Sequence, residues 1–346
     1  MRQLTWAEAQ DSREWDEFVA RNGGSIFHTW SWRKALQSAY SRPLYLVCND
    51  GKGSLLAVCP FFYRRGCRRL LYLDCLPNSQ VAGPVVGLQV PNVREIMKSL
   101  RSAVKFSVFN PVVSMKIRVQ DSPVIQTLID LGFRHEQARG QFILDLHDKS
   151  PQDIWDGLFK KHDRQAVKYY EGRGSSFGFA RNEQDYADFL ALHEESVART
   201  KDRPLNSPEL LSSMRANLGK RLEIALVRLE DAVMAGFSMT CDSYLSTVYL
   251  STLGYSRVKN IHSPIIYVNW KALNWASENG FRYVNFGTTV ADPANPIYKM
   301  KQRFGGRFVP VYQFTLPISG LPYSLASSFN RAIRRVKKST VPTARG

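Results

Sequence analysis

The sequence Y-K-M-K-Q-R-F-G at residues 298–305 places two lysines on a short helical turn that Pro296 begins. Upstream of this turn, residues 270–280 have helical spacing and residues 281–286 read as a short buried strand. Downstream, residues 308–316 read as another strand. The predicted order is therefore helix, strand, basic turn, strand. A polar, basic turn between two buried strands indicates a functional site in addition to a core.

Working outward, strands and helices interleave along the rest of the chain, and the second half repeats the order of the first. The first half is predicted to contain a helix after Ser12, a hairpin at residues 45–62, and alternating strands and helices up to Gly132. The second half is predicted to open with one basic helix at residues 154–170. Interleaved elements are typical of an α/β layer, so the fold class is predicted to be α/β (α+β) with two similar domains.

The length of the chain limits the number of domains, and its charge limits the class of partner. A chain of 346 residues suits two domains of roughly 150 residues each; we place them at residues 1–150 and 151–322, followed by a basic tail at residues 323–346. The formal net charge of +17 implies either a polyanionic partner or an anionic surface, such as nucleic acid, phospholipid or a pyrophosphate-linked precursor. Solubility alone is the competing explanation, and charge does not choose among these.

The cysteines and the N-terminal sequence point to a compartment. Five cysteines form an odd set with no C-x-x-C pair, which is typical of reduced, mostly buried thiols in the cytoplasm. The first ten residues include acidic side chains and no apolar segment of a secretory signal, and no run approaches the length of a membrane span. No spacing typical of a metal site occurs, so we predict no metal.

Four separated motifs, in order, resemble one known family. Residues 275–312 contain W-A-x-x-x-G, N-F-G, Y-K-x-K-x-x-F-G and P-x-Y, residues 27–32 read F-H-T-W-S-W, residues 155–172 form a basic segment, and residues 200–204 read T-x-x-R-P. Together they resemble the FemAB and FemX group of acyltransferases. The resemblance implies two tandem GNAT-like (acyl-CoA N-acyltransferase-like) domains, and transfer of an amino acid from an aminoacyl-tRNA to a cell-wall precursor.

The resemblance also implies roles for single residues. Lys301 occupies the family's lysine three residues before F-G, and is our candidate catalytic residue; a solvated surface lysine is the alternative. Candidate substrate-binding residues are spread over the chain: Trp32, Arg203, Tyr249, His262 and Lys299. Arg203 suits an oxyanion because its planar fork can donate two hydrogen bonds, although an ordinary ion pair with a nearby glutamate would also explain it.

The basic segment supplies candidate nucleic-acid contacts. Its cations are Lys160, Lys161, Arg164 and Lys168, with tyrosines at 169 and 170 as stacking surfaces. Such a run is also what an ordinary solvated helix face looks like. The muropeptide acceptor is less well supported, because residues 205–207 lack the tyrosine that accompanies the family's arginine there.

The segment at residues 253–264, which follows the predicted hairpin strands of the second half, distinguishes two possible acyl donors. A CoA-dependent GNAT enzyme has R/Q-x-x-G-x-G/A there, so that backbone amides cradle the CoA pyrophosphate. Residues 253–264 read L-G-Y-S-R-V-K-N-I-H-S-P, without that cradle. The sequence therefore favours aminoacyl-tRNA over acyl-CoA as the donor, with no bound cofactor; acyl-CoA remains the alternative.

The tail has helical spacing of apolar residues at 325–338 surrounded by five cations. Such a helix can lie on an anionic membrane or pack against the protein. We predict a cytoplasmic N-acyltransferase with peripheral contact at the inner membrane face through this tail, acting on an amine of a cell-envelope precursor, a related small molecule or a lipid-linked acceptor. Two alternatives stay open: an acyl-CoA-dependent N-acyltransferase for polysaccharide or lipid modification, and a non-catalytic protein that binds nucleic acid or anionic lipid.

Overall fold

The computed structural model describes most of the chain, in nine segments. These are residues 4–37, 42–65, 70–77, 83–90, 92–104, 112–120, 122–199, 207–257 and 262–318. The predicted T-x-x-R-P turn with Arg203 and the predicted tail helix at residues 325–338 lie outside the described residues.

Strands and helices alternate throughout the described part of the chain. The helices are α1 Ser12–Arg21, α2 Trp30–Gln37, α3 Val93–Ala103, α4 Ser122–Asp130, α5 Pro151–Leu158, α6 Lys161–Gly172, α7 Glu183–Arg199, α8 Pro208–Leu218, α9 Pro264–Glu278 and α10 Pro296–Arg303. The strands are β1 Thr5–Glu8, β2 Pro43–Asn49, β3 Leu55–Arg65, β4 Leu71–Cys75, β5 Val85–Val86, β6 Val112–Val119, β7 Arg134–Asp145, β8 Ser176–Phe179, β9 Leu222–Leu229, β10 Ala232–Asp242, β11 Thr247–Tyr255, β12 Tyr283–Val290 and β13 Arg307–Pro317. The predicted α/β class is confirmed.

The chain forms two compact units, and neither is continuous in sequence. The first comprises the described parts of Met1–Asn22, Tyr40–Gln137 and Tyr312–Gly346, and the second those of Gly23–Ala39 and Ala138–Val311. These units do not coincide with a single cut at residue 150, since the segment from Gly23 to Ala39 belongs to the second one. The domain limits 1–150 and 151–322 therefore stay a prediction.

The first unit has the strand order β1-β2-β3-β4-β6-β13, with β5 on β3. Its neighbouring strands are antiparallel except for β4 and β6, which are parallel. Asp11 caps α1 by accepting hydrogen bonds from two backbone N–H groups, and the buried Trp15 of α1 packs on the Tyr45 ring with centroids 4.6 Å apart. The core of this unit thus lies between α1 and the sheet.

The second unit has the strand order β7-β12-β11-β10-β9-β8. In this unit β11 and β12 are parallel, and every other pair of neighbouring strands in this order is antiparallel. Buried aromatic and aliphatic side chains of β9 to β12, α6 and α9 form the core. The same element order and the same parallel pair in both units are what the predicted tandem arrangement requires.

One predicted element is wrong. The structure divides the basic segment predicted as a single helix into α5 and α6, with Phe159 and Lys160 between them in extended conformation. The break is stabilised by side chains. Asp163 accepts a hydrogen bond from the Lys160 backbone N–H at 3.1 Å, and the Arg164 guanidinium donates to the Phe159 carbonyl at 2.7 Å. Of the four predicted nucleic-acid cations, three therefore lie on α6, and Lys160 is its N-cap residue.

Candidate active site

The helix that carries Lys301 is set by its two ends. The Asn295 side chain accepts a hydrogen bond from the Ile297 N–H at 2.9 Å, and Pro296 occupies the first turn, where its missing N–H costs nothing. The helix ends at Phe304, because Gly305 has a φ of +78° that suits glycine. The resulting α10 is a short, rigid platform of two turns.

Lys301 points from α10 toward β12 and is buried, with 8% of its surface exposed. Its Nζ atom donates a hydrogen bond to the backbone carbonyl of Thr288 at 3.0 Å. Most lysines are exposed, so the solvated-lysine alternative is excluded by this burial. Lys299, two residues earlier on the same helix, is exposed. The two lysines of the motif therefore have different environments, one buried and one exposed.

The strand that receives Lys301 contains a β-bulge. The pairing of β12 with β7 shifts between Asn285 and Thr288, which face Ile143 and Gln141 respectively. Three steps along β12 therefore match two along β7, so one residue of β12 is extra. Gly287 adopts a φ of +79° at this point. The bulge turns the backbone of β12 locally and sets the direction of the Thr288 carbonyl.

The parallel strands β11 and β12 separate close to the bulge. Their pairing covers residues 247–249 of β11 with 283–285 of β12, although β11 continues to Tyr255 and β12 to Val290. A second bulge lies on β11, where one residue of β10 faces two, and there the Thr252 N–H donates to the Ser238 hydroxyl at 2.9 Å. Two diverging strands with bulges expose backbone groups on which an extended ligand can bind.

Helix α7 holds the far end of β11. The His193 Nδ1 atom lies 2.9 Å from the Leu253 carbonyl, and the Tyr255 N–H donates to the Ser196 hydroxyl at 2.8 Å. This approach depends on Gly254, because a Cβ atom there would lie 2.9 Å from the His193 backbone nitrogen. The chain leaves β11 toward α9 from a firmly fixed position.

Three exposed lysines lie beside a groove at the junction of α5 and α6. They are Lys160, Lys161 and Lys168, and the groove has a volume of about 480 Å³. The fourth predicted cation, Arg164, also lines this groove, but its guanidinium donates to the carbonyls of Phe159, Trp155 and Asp156 at the end of α5. Arg164 therefore serves as a helix C-cap, and the three lysines provide the exposed positive charge.

An ion pair joins α6 to α10. The Asp163 carboxylate, of which 1% is exposed, accepts hydrogen bonds from two nitrogens of Arg303, one of them at 3.2 Å. Arg303 follows Lys301 by two residues. The helix that bears the exposed lysines is therefore tied directly to the helix that bears the buried one.

His262 lies beside α6, immediately before the start of α9. Its ring packs edge-on against Tyr169, with centroids 5.1 Å apart, and against His162 at 6.0 Å. The His262 carbonyl accepts a hydrogen bond from the Tyr170 hydroxyl at 2.8 Å. The structure thus brings His262 together with His162 and the two tyrosines of α6.

Comparison with protein families identifies this part of the chain. Residues 158–300 match the acetyltransferase (GNAT) domain model. This segment is a GNAT domain. It includes α6, the strand pair β11 and β12 and most of α10, while Lys301 and Arg303 directly follow the matched residues.

Solved structures extend the likeness over nearly the whole chain. FemX is 14% identical with a TM-score of 0.69, covering 91% of this chain and 97% of its own. L-PGS from Bacillus licheniformis is 13% identical with a TM-score of 0.61, and the match covers 96% of this chain and 98% of L-PGS. A tandem GNAT protein from the clavulanic acid biosynthesis pathway is 13% identical with a TM-score of 0.57, covering 92% and 99%. No curated protein sequence matches the chain.

These comparisons confirm the predicted FemX-like tandem GNAT fold. Residues 158–300 match the acetyltransferase model, and the solved structures show the same fold over nearly the whole chain. Within the described residues, no helix is long and apolar enough to cross a membrane. No group of three His, Cys, Asp or Glu side chains able to hold a metal ion was found among those same residues.

Two of the predicted substrate-binding residues, Trp32 and Tyr249, are part of a buried aromatic cluster. Phe27 packs edge-on against Trp32 at 4.8 Å and against Tyr249 at 4.7 Å, and Trp32 and Tyr249 are 3% and 2% exposed. Burial raises the pKa of the Tyr249 hydroxyl above its usual range, and the nearby Asp242 carboxylate raises it further. Both side chains contribute to the core, and their contact with substrate stays a prediction.

The buried Asp242 explains why residues 23–39 belong with the GNAT domain. Its carboxylate accepts hydrogen bonds from the backbone N–H groups of Ile26, Tyr244 and Leu245. Burial raises the pKa of this carboxyl, while these three bonds lower it in part. The Asp242 carboxylate thus links the backbone at Ile26 to the backbone of the turn between β10 and β11.

Sequence reasoning missed three residues that shape the site. Asp163 was passed over because it lies among lysines, although an acid three residues after a helix start is a capping signal. Asn285 belongs to the N-F-G motif, but the motif does not show that its side chain binds the backbone of the bulge. Thr288 contributes through its backbone carbonyl, which no side-chain pattern can indicate.

Proposed function

We propose that the protein transfers an aminoacyl group from an aminoacyl-tRNA to an amine on a cell-envelope precursor or a related small molecule. The observation that carries the donor is the group of three exposed lysines on α6 and at its N-cap. In a GNAT domain the helix start after the diverging strand is where donor phosphates are expected to bind. Here that start has no glycine-rich cradle and aromatic rings of α6 lie beside it, and these rings together with the exposed lysines of the same helix suit a polynucleotide.

The proposed chemistry is attack of an amine on an ester. The acceptor nitrogen forms a bond to the ester carbonyl carbon, the carbonyl oxygen becomes an oxyanion, and the bond to the ribose oxygen then breaks. The nitrogen loses one proton, and the ribose oxygen gains one. The Lys301 Nζ atom is held beside β12, where it donates a hydrogen bond to the Thr288 carbonyl. We assign Lys301 to stabilising the oxyanion, because a buried cation acts strongly where water is excluded.

The acceptor is proposed more broadly than the donor. FemX supports a cell-envelope precursor, and a neighbour described as the C-terminal domain of a putative lysylphosphatidylglycerol synthetase from Agrobacterium fabrum supports a lipid-linked one. Arg203, Lys299 and His262 remain the candidate acceptor and donor contacts. Of these, the structure describes Lys299 and His262, and both side chains are at least partly exposed.

Acyl-CoA is the second candidate donor, because the matched family model describes an acetyltransferase. Arg257 and the N-terminus of α9, where Pro264 takes the first turn, supply groups for a phosphate. A non-catalytic role in binding nucleic acid or anionic lipid would use the same lysines. Incubation with a mixture of charged tRNAs or acyl-CoAs and a cell extract, with the acylated product identified by mass spectrometry, distinguishes all three. Product from CoA alone, or no product with tRNA retained, would contradict the proposal.

Donor binding should weaken steeply with salt, because lysines that contact phosphates release counterions. The triple variant Lys160→Ala, Lys161→Ala, Lys168→Ala should reduce the slope of log K against log salt by about 2 to 3 in binding assays with tRNA. A triple variant of equal charge, at Lys52, Lys98 and Lys220, serves as the control and should leave the slope nearly unchanged. Equal slopes for the two triples would show that α6 does not contact the nucleic acid.

Peripheral membrane attachment through residues 323–346 stays a proposal. The five cations at residues 325–338 would each contribute at most about 1 kcal/mol near an anionic leaflet, enough for weak and reversible binding. Deletion after Tyr323 should abolish cosedimentation with phosphatidylglycerol vesicles while turnover of a soluble acceptor is retained. Cosedimentation of the truncated chain at the level of the full chain would count against a membrane role of the tail.

A further inference from the structure

Two buried amide side chains lie beneath the β12 bulge. Asn285 and Gln141 are 1% and 0% exposed, and the Asn285 Nδ2 group donates to the Gln141 Oε1 atom at 2.8 Å. Burying an amide without hydrogen-bond partners is unfavourable by about 1–3 kcal/mol. Apolar side chains are therefore the usual occupants of such core positions, and two adjacent buried amides are unusual. The pair therefore has a specific geometric task.

That task is visible in the second bond of Asn285. Its Oδ1 atom accepts a hydrogen bond from the Gly287 N–H at 2.8 Å. Gly287 is the bulge residue with positive φ, where the regular ladder to β7 is interrupted. The Asn285 side chain thus replaces a ladder bond and fixes the backbone of the bulge from within the strand itself.

The fixed bulge in turn sets the partner of Lys301. Thr288 follows Gly287 directly, and its carbonyl accepts the hydrogen bond from Lys301 Nζ at 3.0 Å. A continuous series of contacts therefore runs from Gln141 through Asn285 and Gly287 to the Thr288 carbonyl and the ammonium. The two contacts of Asn285 are buried, and the contact between Lys301 and the exposed Thr288 is partly buried.

We propose that Asn285 and Gln141 are positioning residues that hold the Lys301 ammonium in place through the Gly287–Thr288 backbone. The inference rests on the proposed role of Lys301 in transfer. Asn285 is also the last residue of β12 paired with β11, opposite Tyr249, so it fixes β12 where the two strands begin to separate. Neither amide need touch the donor or the acceptor for this role.

The test is a double-mutant cycle in kcat, measured with the full chain. Asn285→Ala and Gln141→Met should each lower kcat by about 10- to 100-fold, since misplacing a group by about 1 Å has effects of that size, while KM changes by less than about twofold. In the Lys301→Ala background, Asn285→Ala should cause no further loss, because residues that act as a unit are not additive. Gln141→Glu keeps an acceptor oxygen for Asn285 and should retain more activity than Gln141→Met.

A matched control separates positioning from stability. Asn269 is also 2% exposed and donates through its Nδ2 group to the Ile265 carbonyl. Asn269→Ala should lower the melting temperature about as much as Asn285→Ala, with kcat within about twofold of wild type.

Two outcomes would overturn the proposal. The first is a folded Asn285→Ala variant with wild-type kcat. The second is a loss of kcat from Asn285→Ala that is as large in the Lys301→Ala background as in the wild-type background. Wild-type kcat in Lys301→Ala would instead refute the role of Lys301 itself. If Asn285→Ala does not fold, the Gln141→Met and Gln141→Glu pair decides by the same cycle.

Discussion

Lys301→Ala is expected to lower kcat by about 100- to 1000-fold with little change in KM, because loss of one oxyanion donor removes an interaction made mainly in the transition state. Lys301 is the buried lysine of the Y-K-M-K-Q-R-F-G motif, with its Nζ atom 3.0 Å from the Thr288 carbonyl. The measurement is steady-state kinetics with the donor identified by product analysis. Lys301→Arg keeps the charge but not the shape, and should recover only part of the rate.

The control for this variant lies on the same helix. Gln302 is exposed on α10, so Gln302→Ala should leave kcat unchanged while testing the helix for tolerance to substitution. Melting curves of both variants show whether the buried position alters folding. A Lys301→Ala enzyme that is folded and turns over at the wild-type rate would remove Lys301 from the mechanism.

Gly254→Val is expected to destabilise the protein by about 3 kcal/mol, the upper part of the usual range for overpacking. A Cβ at this position would meet backbone atoms of α7, at 2.9 Å from the His193 nitrogen and 3.1 Å from the Leu192 carbonyl carbon. Backbone cannot move aside as a side chain can, so α7 must shift away from β11. Urea unfolding followed by circular dichroism measures the change in midpoint.

Gly178→Ala provides the comparison within the same unit. Gly178 lies on β8, and a Cβ there would meet nothing within 4 Å. Since alanine has less conformational freedom than glycine in the unfolded chain, this variant should be as stable as wild type or slightly more stable. Equal losses for Gly254→Val and Gly178→Ala would show that contact with α7 does not set the cost.

Much of the fold could be predicted from local patterns, and the exceptions have physical causes. Hydrophobic spacing placed α1, the β2–β3 hairpin and α10 within a few residues of their observed limits. The break between α5 and α6 was missed because each half has helical spacing, and the interruption comes from the Asp163 and Arg164 side chains binding the backbone. Their effect depends on three-dimensional geometry that periodicity does not encode.

Some features of the candidate site could be predicted from the sequence, and others could not. The position of Lys301 could be predicted from its motif, since the motif records which lysine follows the strand. Its burial and the Thr288 contact could not, because both depend on a bulge whose existence is visible only in the pairing of β12 with β7. Likewise, Arg164 and the lysines around it are equal in charge, and only the carbonyls at the end of α5 show that Arg164 is already bound.

The Arg303–Asp163 bridge also limits how this sequence can diverge. Replacing Arg303 alone would leave the buried Asp163 carboxylate with only the Lys160 N–H as a partner among the described residues, and removing one partner of a buried ion pair is destabilising. A lineage is therefore obliged to alter positions 163 and 303 together, or to pass through an unstable intermediate. Among homologues, the two positions should consequently covary as a pair, although 140 residues separate them in the chain.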